Sequence, residues 1–330
     1  MYTRIFSASK EEHIMNKLIN FKSIGNQKFI LTLLIVFAHT YSSMDYPSAS
    51  SAYNFIIVQI MRIAGGAVGT FFAISTILFF NKFTIEDYKT KLTSRFKSLI
   101  IPYFILSIST FIIHLIVSLI KKGTVKCTID SVILDILNGE YDGPIWFLRT
   151  LFLFVLIAPA LYYLVKQINL KTCIGIFLTL TTINAFIKPD YNGLLYWAPI
   201  IILFSYIGIK GLNFKVPGYV GYILGAALLT FLYFTGWGEG ENAVPVYIFR
   251  MLSPIAIILM FNNLTYKPSK YQNYSMFVYL THILLLRIPF SDNPYLHIPK
   301  TLIIFAIATI IGMIIQKISP KIYSYICGGR

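Results

Sequence analysis

Lys28 and His39 bracket the apolar run KFILTLLIVFAHT, and they are the first residues in the chain whose types and spacing suit chemistry. Eleven positions separate them. At about 100° and 1.5 Å per residue that is about three turns and about 16 Å, so the two polar groups share one face of a helix. If the helix crosses a membrane, Lys28 sits at one water boundary and His39 lies in or near the far side. An imidazole there is expensive to leave without a partner, which makes it a candidate functional group. It also titrates near neutrality and suits a general base. The alternative is a helix-end histidine reaching back to the interface, and spacing leaves both readings open.

Other polar residues interrupt apolar stretches further on. Arg149 follows Trp146 by three positions, hence on the same helical face. Glu140 and Asp142 stand just before that stretch and could pair with it. His282 follows Tyr279 by the same interval. Arg250 and Arg287 interrupt two late stretches, and Arg287 has the placing of a side chain that reaches the interface. His114, alone in FIIHLIV, reads as a histidine bonded to a neighbouring helix. The sequence has no GxSxG, GxGxxG, P-loop or HExxH. Chemistry must therefore come from scattered residues inside the apolar segments.

The elements that would hold them follow from composition. The chain has 330 residues, 56% hydrophobic and 12% charged, with a mean hydropathy of +0.70. Soluble domains carry about 25% charged residues, so this is the composition of a polytopic membrane protein. Apolar stretches fall at about 28–43, up to Phe80, 98–120, from Pro144, 172–187, 196–209, 216–235, 244–264, 274–290 and 299–318. The expected fold is all-α, a transmembrane helical bundle of about ten spans with both termini cytoplasmic. Residues 1–27 read as a basic cytoplasmic tail without a cleavable signal peptide, 28–318 as the transmembrane domain, and 319–330 as a second tail. Ile56 to Gly66 looks interfacial, and Ile129–Leu137 reads as an amphipathic surface segment. The run 82–97 is the most basic loop.

With ten spans and both ends inside, 19 of the 28 Lys and Arg fall on the cytoplasmic side. The net charge of +15 is then mostly an orientation signal, which argues against nucleic acid as a partner. Cys127, Cys173 and Cys327 are odd in number and far apart, so no disulfide framework or zinc site is indicated, and no bound metal or cofactor is expected.

Taken together, these motifs resemble the integral-membrane acyltransferase family 3, whose members include polysaccharide O-acetyltransferases. The residues that carry the resemblance are Lys28 with His39, FFAIST at Phe71–Thr76, SRFKSLIIPY leading into Pro102, PIWFLRTLF from Pro144, and Tyr279 to His282. Each is weak alone; their order over about 260 residues is specific. Two departures stand out: Thr76 replaces a glycine, and Ser98 replaces the second arginine of an Arg-x-x-Arg that begins at Arg95.

The resemblance implies a multi-pass protein of a bacterial inner membrane. Its implied activity is transfer of an acyl group, usually acetyl from acetyl-CoA, to a sugar hydroxyl of a surface or lipid-linked glycan. His39 would be the base or a transient acyl carrier. Lys28 or Arg149 would stabilise the oxyanion. Arg95, Lys97 and Lys91, in the basic segment, would attract the donor's phosphates, although that segment could equally serve only to set topology. Trp146, Tyr279, His282, Glu140 and Asp142 would line the pocket, with Tyr141 and Trp237 as further sugar-stacking candidates. Two other classes compete: a transporter or flippase of lipid-linked glycan, which should show matching halves, and a polymerase, which should carry a large outer loop. Neither feature is visible.

Overall fold

The structure is a computed structural model, and it describes residues 23–41, 50–122, 129–139, 143–211, 217–235, 244–261, 270–286 and 293–328. Glu140, Tyr141, Asp142, Trp237, Arg287 and nearly all of the basic N-terminal tail lie outside the described residues.

Backbone groups in hydrocarbon must be bonded within their own segment, so apolar stretches close into helices. The described residues contain helices and no strand. In chain order these are α1 (Ile24–Tyr41), α2 (Ser51–Gly65), α3 (Ala67–Phe80), α4 (Tyr88–Arg95), α5 (Ile101–Lys122), α6 (Ile129–Asn138) and α7 (Trp146–Gln167). They continue with α8 (Leu170–Ile187), α9 (Leu194–Lys210), α10 (Gly218–Thr235), α11 (Val244–Phe261), α12 (Ser275–Leu286), α13 (His297–Ile318) and α14 (Pro320–Ile326).

Each expected span coincides with a helix. Among the described residues six helical stretches are long and apolar enough to cross a membrane: Ser51–Phe80, Tyr88–Ile120, Gly143–Gln167, Leu170–Ile187, Val244–Phe261 and Pro294–Ile318. Ile24–Thr40, Leu194–Lys210 and Tyr219–Thr235 are apolar but shorter. The 12 residues of α12 rise about 18 Å, well short of a hydrocarbon core of about 30 Å.

The segment expected to be interfacial is α2, which runs into α3 as one 30-residue stretch, Ser51–Phe80. Its Ile57 packs on Phe37 of α1. At the joint a Cβ on Gly66 would lie 2.4 Å from Ser253 Oγ, so only glycine lets α11 approach this closely. The basic segment 82–97 is not a loop over most of its length. It forms α4 and continues through a π-helical turn, Phe96–Ile100, into α5. The amphipathic segment forms α6, as expected.

Prolines inside the helices explain much of the packing. A proline donates no amide hydrogen, so the carbonyl four residues earlier is orphaned. Pro159 in α7 frees Val155 O, and the Tyr88 hydroxyl of α4 donates to it and to Leu156 O, each at 3.3 Å. Pro199 in α9 frees Leu195 O, which accepts from Asn184 Nδ2 of α8 at 2.7 Å. Pro102 frees Ser98 O in the π turn. There Gly328, at φ +70°, sits so close that a Cβ would come within 2.3 Å of that oxygen. Ser98, where the resemblance places an arginine, is buried beside this contact. Thr76, the other departure, is fully buried on α3.

Candidate active site

Six elements border a common cavity of about 100 Å³. From α1 come Lys28 and Thr32, one turn apart. From α3 come Phe71, Ser75, Leu78 and Phe79. Arg95 ends α4, and Leu99 lies in the π turn. From α7 come Phe147, Leu148, Leu151, Phe154 and Val155; from α12, Ser275, Met276 and Tyr279. The intervals of three and four residues within each set are those of a single helical face. The space suffices for more than one water. Its walls are mostly apolar, with two cations and four hydroxyls among them.

Local bonds orient several of these groups. Thr32 Oγ1 donates back to Lys28 O at 2.9 Å, and Ser275 Oγ to Gln272 O at 2.8 Å. Tyr279 is buried, and its hydroxyl donates to Pro144 O at 2.9 Å, which ties α12 to the start of α7. Arg95 reaches the cavity because Tyr88, two turns earlier, anchors α4 on the proline-freed carbonyl of α7.

Beyond Tyr279 lie the two histidines. The His39 and His282 rings stand 5.2 Å apart between centroids, and the Tyr279 ring is 6.2 Å from His282. His282 is fully buried. Its Nδ1 bonds the carbonyls of Tyr279 at 2.7 Å and Val278 at 3.2 Å. Carbonyl oxygens only accept, so Nδ1 carries the hydrogen and Nε2 presents a lone pair. Among the described residues nothing donates to that Nε2. Tyr279 therefore belongs both to the cavity and to the surroundings of the histidine pair.

The expected residues divide accordingly. Lys28, Arg95 and Tyr279 meet at the cavity, and His39 meets His282. Lys28 and His39 do not meet, because the same three turns that align them also separate them by about 16 Å. Lys91 is turned away from the cavity: its Nζ donates to Phe79 O at 3.0 Å, capping α3, and lies over the Phe79 and Phe83 rings. Lys97 is exposed on the outer face of the π turn, beside Lys89 and Thr93. Trp146 packs in an aromatic cluster with Phe72, Tyr191 and Trp197. Arg149, expected to meet Glu140 or Asp142 or an oxyanion, donates from Nη1 to Leu137 O and Asn138 O at 3.3 and 3.4 Å. Those are orphan carbonyls at the C-terminus of α6, a site that suits a cation. His114 is exposed on α5. Arg250 is buried, bonded to Tyr196 Oη at 3.2 Å and stacked 4.8 Å from the Tyr191 ring centroid.

Sequence reasoning missed several residues. Ser75 and Thr32 line the cavity, and the signal for each was present: Ser75 is one turn after Phe71, and Thr32 one turn after Lys28. His297 was also missed. It is fully buried, stacked 4.1 Å from Phe37, and its Nε2 donates to Phe37 O at 3.0 Å, holding α13 to α1 two residues from His39. No local spacing marks that role.

A helical bundle with apolar crossings, a cationic cavity between its helices and an imidazole pair beside it, one ring fully buried, defines an integral-membrane protein with a site inside the bundle. A family model described as an acyltransferase domain, that of acyltransferase family 3, matches residues 21–316. The chain belongs to that family. No curated protein and no solved structure gives a match. The matched stretch holds every cavity residue and both histidines of the pair; α14 lies beyond it.

Proposed function

We propose that this membrane acyltransferase moves an acetyl group from acetyl-CoA to a hydroxyl of a lipid-linked or surface polysaccharide, in the inner membrane of a bacterium. The observation that carries the reading is the arrangement around Tyr279, with Lys28 and Arg95 in the cavity on one side and the His39–His282 pair on the other. Acetyl-CoA is polyanionic at one end and has a thin, weakly polar arm ending in the thioester. Two cations and an apolar wall complement those two parts. With ten helices crossing in alternation and both ends cytoplasmic, Lys28 and Arg95 face the donor's compartment. His39 lies deeper, toward the far side.

In the reaction the acceptor hydroxyl meets His39. Its oxygen adds to the thioester carbonyl carbon while His39 takes the hydroxyl proton. The carbon–sulfur bond then breaks, and the proton passes to the departing thiolate. Lys28 acts in this scheme as a donor-binding group with Arg95, not at the reacting carbonyl. Lys91, Trp146 and Arg149 hold structure around the site, and Lys97 stays a solvent-facing cation at the donor's approach. Glu140 and Asp142 remain proposed pocket residues.

The test is chemical. Surface polysaccharide from cells with and without this protein is purified and compared by NMR. O-acetyl resonances that vanish with the protein support the reading. Identical acylation in the two samples, with the glycan itself unchanged, overturns it.

A further inference from the structure

We infer that His282 is the positioning partner of His39, accepting a hydrogen bond from its imidazole when His39 carries the proton. The inference rests on the acyl-transfer reading above and adds a role within the same site.

His282 is fully buried on α12, yet one of its two ring nitrogens has no donor among the described residues. Burial of an unbonded acceptor costs stability, so a side chain that served only packing would be better apolar. The other nitrogen is committed. Its bonds to two successive carbonyls of its own helix fix both the tautomer and the ring orientation. What the fixed ring presents to its surroundings is a lone pair at Nε2. The ring beside it is that of His39, 5.2 Å away between centroids and tilted 47°. At that separation a turn of the His39 ring that aims a nitrogen at Nε2 brings the two within hydrogen-bond reach.

The order of groups is then backbone carbonyl, His282, His39, acceptor hydroxyl. A base whose far nitrogen is held by a third group is the arrangement that orients an imidazole for proton transfer. As the hydroxyl proton arrives on His39, the His39 N–H on the far side donates to His282 Nε2, and no proton leaves His39 in that direction. When the thiolate departs, His39 returns its proton and the pair is restored. His282 touches neither donor nor acceptor; it acts through His39. His297, which pins the Phe37 carbonyl two residues away, keeps α1 in register for the contact.

The test compares His282→Leu with His282→Gln, whose amide oxygen can sit near the place of Nε2 and accept. Purified protein is assayed with acetyl-CoA and glycan acceptor, and folding is followed by thermal melting. The expected result for Leu is a fall in kcat of roughly 100-fold, the scale of a mispositioned base, with the donor KM unchanged. Gln should restore kcat to within roughly 10-fold of the parent. A folded Gln variant with no activity overturns the inference, as does a Leu variant with full activity, or one whose donor KM rises as kcat falls. Where the Leu variant does not fold, the Gln variant alone decides. Failure of the underlying reading is distinct: it shows as a His39→Ala variant that still transfers acetyl at the parent rate, whatever His282 does.

Discussion

Replacing Arg95 with alanine should weaken the donor and leave the chemical step intact. Arg95 and Lys28 are the two cations that line the cavity. The donor's phosphates gain charge-assisted hydrogen bonds there, each contributing about 1.5–3 kcal/mol. At about 1.4 kcal/mol per tenfold, losing one such bond raises the donor KM roughly 10- to 150-fold. Lys28 remains in the cavity lining, so binding is weakened but not abolished. The kcat should stay within about twofold, because Arg95 stands on the cavity side of Tyr279 and the histidine pair on the other. Arg95→Lys keeps the charge without the forked geometry, so it should fall between parent and alanine. The assay is initial-rate kinetics over a range of acetyl-CoA at fixed glycan, repeated at higher ionic strength, where the parent's KM should rise more steeply than the variant's. A kcat that falls while the donor KM stays constant would refute the placing of the donor's phosphates in this cavity.

Three further outcomes follow from the packing. Tyr88→Phe removes the hydroxyl that serves the carbonyls of Val155 and Leu156 and should cost about 1 kcal/mol. In a Pro159→Ala background, where an amide can serve Val155 O again, melting curves should show a smaller loss for the same change. Gly66→Val drives a side chain into Ser253 and should cost about 1–3 kcal/mol, seen as a lower melting temperature. Arg149→Ala removes the cation at the end of α6, so stability should fall slightly while kcat and donor KM stay within about twofold; a kcat loss near 100-fold would return Arg149 to the reacting centre.

The helices were legible because apolar length has one cheap solution in a bilayer, and each expected span coincides with a helix. What spacing could not show is where a freed carbonyl finds its donor. Tyr88 and Asn184 meet the consequences of Pro159 and Pro199 from other helices, and nothing local in the chain marks them as partners. The same limit applies to the basic segment. Its cations were visible as a group, but not their separate ends: Arg95 reaches the cavity, Lys91, one turn earlier on the same face, bonds the end of α3, and Lys97 in the π turn is exposed. In the site, Lys28 and His39 were legible as a pair on one face, and Tyr279 with His282 as another. Their meeting depends on α1 lying against α12, a tertiary contact that neither interval encodes. For Arg149 the chain showed a nearby pair of carboxylates, which lie outside the described residues, and gave no sign of the open end of α6 that the side chain bonds.

The most direct measurement is the rate of label transfer from acetyl-CoA to glycan by purified His39→Ala protein, set beside its donor affinity by equilibrium dialysis. The account expects the rate to fall by roughly 10²- to 10⁴-fold while the donor still binds at parent strength, since the cavity that holds it is left untouched. A variant that transfers acetyl within tenfold of the parent rate would contradict the assignment of the reaction to that imidazole.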